Sequence, residues 1–133
     1  MEQETDSRLL DDLLGPLHMH FLVAAQAYAD YLADGKSFLF AASLRRTNAS
    51  ARQLLLDRGW RLPDDAQADA AALIRHWDVW LTLWDNHAAR LRPGPGDPFA
   101  FANEHVFPRE SQARLEALYR RRLAAGDKAR ANA

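Results

Sequence analysis

Residues 71–91 of this chain read AALIRHWDVWLTLWDNHAARL, and this stretch decides the fold. It contains three of the four tryptophans, and its large side chains recur at steps of three and four residues, as they do on one face of an α-helix. An aromatic side chain has roughly 150–250 Å² to bury, so a face with three indoles must be covered by other parts of the chain. We therefore expect the remaining helices to pack around this one. The face comprises Leu73, Trp77, Trp80, Trp84, His87 and Leu91, and the water-exposed side comprises Arg75, Asp78, Thr82, Asp85 and Arg92.

The composition is typical of one globular domain. The chain has 133 residues, of which 48% are hydrophobic and 26% charged, with a net charge of −1 and a mean hydropathy of −0.40. It contains no cysteine, which excludes disulfides, thiolate metal sites and a cysteine nucleophile within it. The balanced charge and the polar start MEQETDSR predict no nucleic-acid partner, no membrane span and no signal peptide. We expect a cytoplasmic protein with a single domain over residues 1–133, frayed at 1–6 and 126–133, and the frequent alanine and arginine suggest a bacterial source.

Glycine, proline and capping residues predict where the helices begin and end. Gly15-Pro16 is expected to end a short leading helix, because proline inside a helix removes a hydrogen bond and forces a kink. Ser37 is a candidate N-cap, and Gly35, Gly59 and Gly126 each follow a predicted helix. The predicted helices are the short one ending at Leu14, then Pro16–Asp34, Ser37–Arg58, a fourth from the acidic residues after Pro63 to Leu91, and Pro108 to about Ala125.

The segment before the last helix is predicted to be extended. Residues 92–98, RPGPGDP, contain three prolines and two glycines and cannot continue a helix. Phe99 and Phe101 then alternate around Ala100, so an extended backbone would place both rings toward the helices. The predicted fold is an all-α up-and-down bundle of four long helices plus a short N-terminal helix, with this Pro/Gly/Phe segment before the last helix.

Charge is unevenly distributed along the chain. Residues 1–35 carry seven acids against one base, and residues 36–59 carry five bases against one acid. Because Gly35 joins these two segments, we expect them to form an antiparallel hairpin with opposite charges facing. The polar middle of the third helix has two interpretations, a solvated face or a docking surface for an acidic partner or a second copy of the chain. The residues of this candidate surface are Arg45, Arg46, Asn48 and Arg52.

The aromatic residues support a different hypothesis. An interior rich in tryptophan and tyrosine can enclose a flat ligand such as a flavin or haem, with His18 or His87 as a candidate axial ligand. The same aromatic stripe at helical spacing is also typical of an ordinary core. The candidate ligand-binding residues are His18, Tyr28, Trp80, Trp84 and His87.

Metal and catalytic motifs are absent from the sequence. His18 and His20 face different sides of a helix, and His76 and His87 lie some 16 Å apart at about 1.5 Å per residue. Glu-x-x-His pairs, His-Glu-x-x-His, Gly-x-Ser-x-Gly and a phosphate-binding glycine loop do not occur. We predict no metal and no cofactor, and the sequence identifies no catalytic residue.

Two functions are compatible with these patterns. The first is a small cytoplasmic accessory or adaptor protein that acts through protein–protein contact, with another protein or a second copy as its partner, and is not itself catalytic. The alternative is a helical bundle that binds a small molecule or cofactor in its Trp/Tyr/His-lined interior, for example as an enzyme subunit. In both cases the pattern predicts that Trp80 is buried in the core.

Overall fold

A computed structural model describes residues 8–132 of the protein. Over these residues the chain is all-α, without a β-strand. A π-helical turn, Leu10–Leu14, leads into the first long helix, and a 3₁₀ turn, Gly59–Arg61, lies between the second and third. Across this described range, no helix has the length and apolarity needed to cross a bilayer. The long helices are α1 (Gly15–Ala33), α2 (Phe38–Arg58), α3 (Asp64–Leu91) and α4 (Arg109–Ala131).

The all-α class is therefore confirmed, while the up-and-down order and the single-domain boundaries stay predictions. The short leading helix is not separate, because residues 8–33 are helical throughout. The Gly15 amide donates to the Leu10 carbonyl across the π turn, directly before Pro16, which has no amide to donate. A Cβ at Gly15 would lie 3.0 Å from that carbonyl oxygen, so glycine allows the close approach. The predicted fraying of residues 1–6 lies outside the described residues.

The predicted end of the last helix at Gly126 is wrong, because α4 continues to Ala131. The Arg130 guanidinium donates to the Gly126 carbonyl and pairs with Asp127 at 2.8 Å. Two cations, Lys128 and Arg130, also lie in the last turn, where they complement the helix dipole. These contacts favour the helical conformation around Gly126, where glycine costs roughly 1 kcal/mol relative to alanine.

The organising stretch lies in α3, which ends at Leu91 with Arg92 in the left-handed conformation. Its apolar face contributes to two clusters of buried side chains. Leu73 and Trp77 belong to the larger cluster, where the π turn and the four helices meet, and Trp84 belongs to the smaller one with Ala41 and Phe99. The expectation that the chain wraps this helix is confirmed for Leu73, Trp77 and Trp84. It is wrong for Trp80 and His87, which are half-buried, and for Leu91, which is exposed.

The non-helical residues 92–108, here called the strap, hold the start of α2. The amides of Phe38 and Leu39 donate to carbonyls of the strap at Asp97 and Pro95, at 2.8 and 2.9 Å. The strap carbonyls thus accept from amides in the first turn of α2, which an N-cap side chain would otherwise satisfy. The Ser37 hydroxyl donates to the Asp34 carboxylate at 2.8 Å and is not bonded to these amides. Ser37 therefore does not cap α2 with its side chain, contrary to the sequence-based expectation.

Phe99 anchors the strap to the helices. Its ring is 1% exposed and lies 4.9 Å from Trp84 and 5.3 Å from Phe38, measured between ring centroids. Its amide donates to the Lys36 carbonyl at 2.8 Å, and its carbonyl accepts a short hydrogen bond from the Tyr31 hydroxyl. Both rings of the Phe99–Phe101 pair pack on the smaller core cluster, as the alternation predicts.

The predicted charge pairing between the first two segments is wrong for the middle of α2. The Arg45 guanidinium donates to both carboxylate oxygens of Asp85, at 2.8 and 3.0 Å, and Arg52 pairs with Asp78. Both acids lie on α3, seven residues apart like their partners, so a single face of α2 meets a matching face of α3. At the far end a base from the basic segment does reach the described part of the acidic one, where Arg58 donates to the Asp12 carbonyl at 2.7 Å.

An ion pair also joins α3 to α4. The Asp69 carboxylate is buried and accepts three bonds from the Arg114 guanidinium, at 2.7, 3.0 and 3.0 Å. These bonds hold the pKa of Asp69 below its ordinary value of 3.8. Glu110, four residues before Arg114 on the same helix, lies farther from its guanidinium, at 3.9 Å.

The first prediction concerns the anchor of the strap. Phe99→Ala should lower the free energy of unfolding by about 3–5 kcal/mol, because it removes a buried ring that contacts Trp84 and Phe38. Urea unfolding measures this difference. Val106→Ala in the same segment is the control, since Val106 is 86% exposed and its truncation should change the free energy by less than about 0.5 kcal/mol. Equal small effects of both changes would show that Phe99 does not anchor the strap.

The second prediction concerns the pH dependence of the Asp69–Arg114 pair. Because folding lowers the pKa of Asp69, its ionised form contributes stability that is present above pH 3.8 and is lost as the pH falls through the lower folded-state pKa. Asp69→Asn should therefore reduce the free energy of unfolding at pH 6, by at most about 1 kcal/mol because Arg114 is exposed to solvent. The difference from wild type should vanish in strong acid.

Chemical unfolding between pH 2 and pH 6 tests this expectation, with Asp11→Asn, a change at an exposed aspartate, as the control. A difference between Asp69→Asn and wild type that stays constant over this pH range would contradict the assigned role of the Asp69 carboxylate.

Candidate binding cavity

A cavity of about 560 Å³ lies between α1, α2, α3 and the strap. This volume falls within the roughly 300–1,000 Å³ of small-molecule sites in proteins. It is open to solvent along α1, where Tyr28 is 53% exposed. Small side chains of α1 and α2 line it opposite the tryptophans of α3, namely Ala24, Ala25 and Ala41. We call it the aromatic cavity.

Aromatic side chains form most of its wall. Trp77, Trp80 and Trp84 line it at steps of three and four residues along α3. Trp80 lies 6.1 Å from Phe101 and Trp84 lies 4.9 Å from Phe99, between ring centroids. The cavity is therefore bounded by a continuous row of ring faces and edges. The other aromatic lining residues are Phe21, Tyr28, Tyr31 and Phe107.

Polar atoms of the wall are already bonded at the end near Trp84. The Trp84 Nε1–H donates to the Ala41 carbonyl at 3.2 Å, and the Tyr31 hydroxyl donates to the Phe99 carbonyl. These bonds fix both rings and leave mainly their carbon surfaces to face the cavity. The ring surfaces at this end are thus apolar and held in place by hydrogen bonds, as in pre-organised binding walls.

The opposite end, near His76, is polar. Burial lowers the pKa of His76 below its usual range, with a smaller contribution from His105, so the imidazole is neutral at pH 7. Its ring is edge-on to Phe107, with centroids 5.1 Å apart. Its Nδ1 atom is buried and has no hydrogen-bond partner within residues 8–132. The other polar lining residues are Asn48, Asn103, Arg109 and Gln112, together with Lys36, which lies beside Phe99 at the other end.

The structure brings together three of the five residues predicted to bind a ligand, Tyr28, Trp80 and Trp84. The two histidines predicted with them do not line the cavity. The His18 Nδ1 atom lies 2.8 Å from a carboxylate oxygen of Glu116, at the contact between α1 and α4. His87 packs against the far side of Phe99, at 4.9 Å between centroids. An axial histidine from either position is therefore not available to a ligand in this cavity.

His18 fails as a ligand because of its angular position on α1. The α1 residues that line the cavity are Phe21, Ala24, Ala25, Tyr28 and Tyr31, whereas the side chain of His18 is directed to α4, where its ring stacks on Tyr119 at 4.4 Å.

The four residues of the predicted docking surface do not share one surface. Arg45 and Arg52 face α3 in the ion pairs described above, and Arg46 is exposed and donates to the Ser43 hydroxyl at 3.0 Å. Asn48 lies on yet another side, among the lining residues of the cavity. The pairing is favoured because Asp78 and Asp85 present carboxylates at the same seven-residue spacing as the two arginines.

His76 is the main site residue that the sequence-based reasoning missed. The signal was present, because His76, Trp80 and Trp84 recur at steps of four and so lie near one side of the helix. No local sequence pattern indicated that Asn103 and Arg109 line the cavity. They do so because the strap runs along the cavity and places Phe107 and the start of α4 beside it.

Metal ligation has no support in the arrangement of side chains. Among residues 8–132, no group of three His, Asp or Glu side chains is placed to hold a metal ion.

Comparisons of this chain with family models, with curated proteins and with solved structures found no match. The interpretation of the cavity therefore depends on its own geometry.

Proposed function

We propose that the protein binds a planar, largely apolar small molecule in the aromatic cavity. The observation that carries the proposal is the combination of rigid ring faces with one buried, unpartnered polar atom, Nδ1 of His76. This is the alternative function that the sequence admits. It uses Tyr28, Trp80 and Trp84 as predicted, and replaces His18 and His87 with His76.

The dimensions of the cavity limit the ligand. His76 and Trp84 are eight residues apart on α3, which corresponds to about 12 Å along the helix. A molecule of two or three aromatic rings spans this length. Stacked or edge-on aromatic contacts contribute about 0.5–1.5 kcal/mol each beyond the burial of area, so a flat ring system is favoured over a compact aliphatic one.

His76 favours a ligand with one hydrogen-bonding group. A buried polar atom without a partner costs about 1–3 kcal/mol. Nδ1 is closed off from water in the empty cavity, so a ligand donor or acceptor reaches it only when the His76 ring turns, and the new hydrogen bond would then remove that cost. The neutral imidazole can accept at Nδ1 in one tautomer and donate in the other, so either kind of group is suitable. The ring system would then lie toward Trp80 and Trp84.

The third prediction tests the cavity with N-phenyl-1-naphthylamine, a neutral probe with two aromatic systems whose emission increases in apolar surroundings. We expect saturable binding to the wild type and quenching of tryptophan emission. Ala24→Phe places a ring inside the cavity and should weaken binding tenfold or more. Ala29→Phe places the same ring on the exposed side of α1 and should change binding less than twofold.

Thermal unfolding of both variants verifies that they fold, and Ala25→Phe is a second cavity-filling variant if Ala24→Phe does not. Equal affinities of the two α1 variants, or the absence of saturable binding to the wild type, would contradict the proposal.

A specific observation favours a second candidate, the protein–protein contact predicted from the sequence. Met19, Leu22 and Val23 lie on the outer side of α1 and are 55%, 51% and 48% exposed. Their spacing of three and four residues forms an apolar row of the kind that packs against another helix. We propose self-association through this row as the second candidate, in place of the α2 surface. A cytoplasmic location and a bacterial source remain predictions for either function.

The fourth prediction addresses self-association. Sedimentation velocity of the wild type should show a dimer whose fraction rises with concentration, and Leu22→Lys should abolish it, because a lysine in the row would be desolvated in the contact. Leu39→Lys on α2, at a residue that is also 52% exposed, is the matched control and should leave the dimer intact. A wild type that stays monomeric at all concentrations excludes this candidate.

A further inference from the structure

The charges that line the aromatic cavity are all of one sign. Lys36 and Arg109 are its charged lining residues, and none of the lining residues, which all lie in the described part of the chain, is acidic. The whole chain has 18 acids against 17 bases, so a lining with no acid departs from the general balance. Resting on the function proposed above, we infer that the ligand is a planar aromatic anion, with its acidic group at the Arg109 end of the cavity.

Arg109 and Lys36 also differ from the arginines that join helices to α3 in the availability of their charge. Arg45, Arg52 and Arg114 are each paired with an aspartate on α3. Within residues 8–132, neither Arg109 nor Lys36 forms an ion pair. A ligand carboxylate or sulfonate would therefore gain a partner without breaking an existing pair.

The two ends of the cavity are not equivalent. Two acids lie near Lys36, although both carboxylates are engaged. Asp34, two residues before it, accepts from the Ser37 hydroxyl, and Asp97, in the strap beside the start of α2, accepts from the Gly94 amide, each at 2.8 Å. Their negative charge reduces the attraction of this end for an anion. The neighbouring walls, Trp84 and Phe99, offer carbon surface because their polar atoms are already bonded.

The Arg109 end offers several donors together. Gln112 and Asn103 also line the cavity, and His76 packs edge-on against Phe107, two residues before Arg109. The nearest acid in sequence, Glu110, does not line the cavity and lies 3.9 Å from Arg114 on another side of α4. Arg109 is also the first residue of α4, where the helix dipole favours negative charge. A ligand whose acidic group lies at this end would place its aromatic rings against Trp80, Trp84 and Phe101.

Two probes that differ by one charged group test the inference. They are 1-anilinonaphthalene-8-sulfonate and its uncharged counterpart, N-phenyl-1-naphthylamine. At low salt the sulfonate should bind the wild type about three- to tenfold more tightly, a modest preference because both cations are partly in solvent. The preference should shrink as salt is added, since screening weakens only the charged contact.

Variants locate the contact. Arg109→Gln should weaken sulfonate binding about three- to tenfold and change binding of the neutral probe less than twofold. Arg120→Gln, an exposed arginine of the same helix outside the cavity lining, is the control and should change neither affinity. Ala24→Phe should weaken both probes, which shows that they occupy the cavity, and cooperative thermal unfolding of each variant excludes dye binding to a partly unfolded chain.

The outcomes separate this inference from the proposed function. If neither probe binds with saturation, the proposed function itself fails. If the neutral probe binds as tightly as the sulfonate and both are lost in Ala24→Phe, the cavity binds planar ligands and the anionic class is wrong. If Lys36→Gln weakens sulfonate binding and Arg109→Gln does not, the acidic group is not at the Arg109 end and the assignment is overturned.

Discussion

The need to cover the three indoles of α3 is the constraint on which the rest of this structure depends. Three tryptophans on one helix carry more apolar area than a single neighbouring helix covers, and the strap supplies the missing cover near Trp84. Phe99 fills that position, and the backbone of the same segment accepts hydrogen bonds from the first turn of α2. One irregular segment therefore completes the smaller core cluster and satisfies a helix terminus that its own serine does not cap.

The parts of the fold that follow from side-chain periodicity could be predicted from the sequence. The α3 stripe, its end at Leu91, the inward Phe99–Phe101 pair and the all-α class depend on spacing and on proline and glycine. The continuous helix through Gly15 could not be predicted this way. A proline signals a break because its missing amide disturbs α-helical bonding, and the π turn meets that requirement without a break.

Charge pairing was harder to predict, because segment totals do not determine which faces meet. The acidic and basic segments are adjacent in sequence, yet Arg45 and Arg52 face α3, where Asp85 and Asp78 repeat their seven-residue spacing. Matching local spacing on two packed helices fixes such pairs, whereas net charge acts only through weak, screened interactions. With Arg45 and Arg52 turned toward α3, Asn48 lies at the cavity. The four residues predicted to form one docking surface therefore lie on different sides of α2.

Whether an aromatic stripe forms a core or a cavity is decided by the residues across from it. Leu55 and Leu73 lie among large buried side chains of the larger cluster, whereas Trp80 and Trp84 share the wall of the cavity with the small side chains of Ala24, Ala25 and Ala41. Interiors are close-packed, so volume that small side chains do not fill on one wall must be filled by another element or remain open. Here the strap fills part of it with Phe99 and Phe101 and leaves the remainder open to solvent beside Tyr28. The periodicity of α3 is the same in both regions. The tryptophan pattern alone therefore predicted that Trp80 is buried. Because small side chains share the cavity wall with Trp80, a cavity remains there instead.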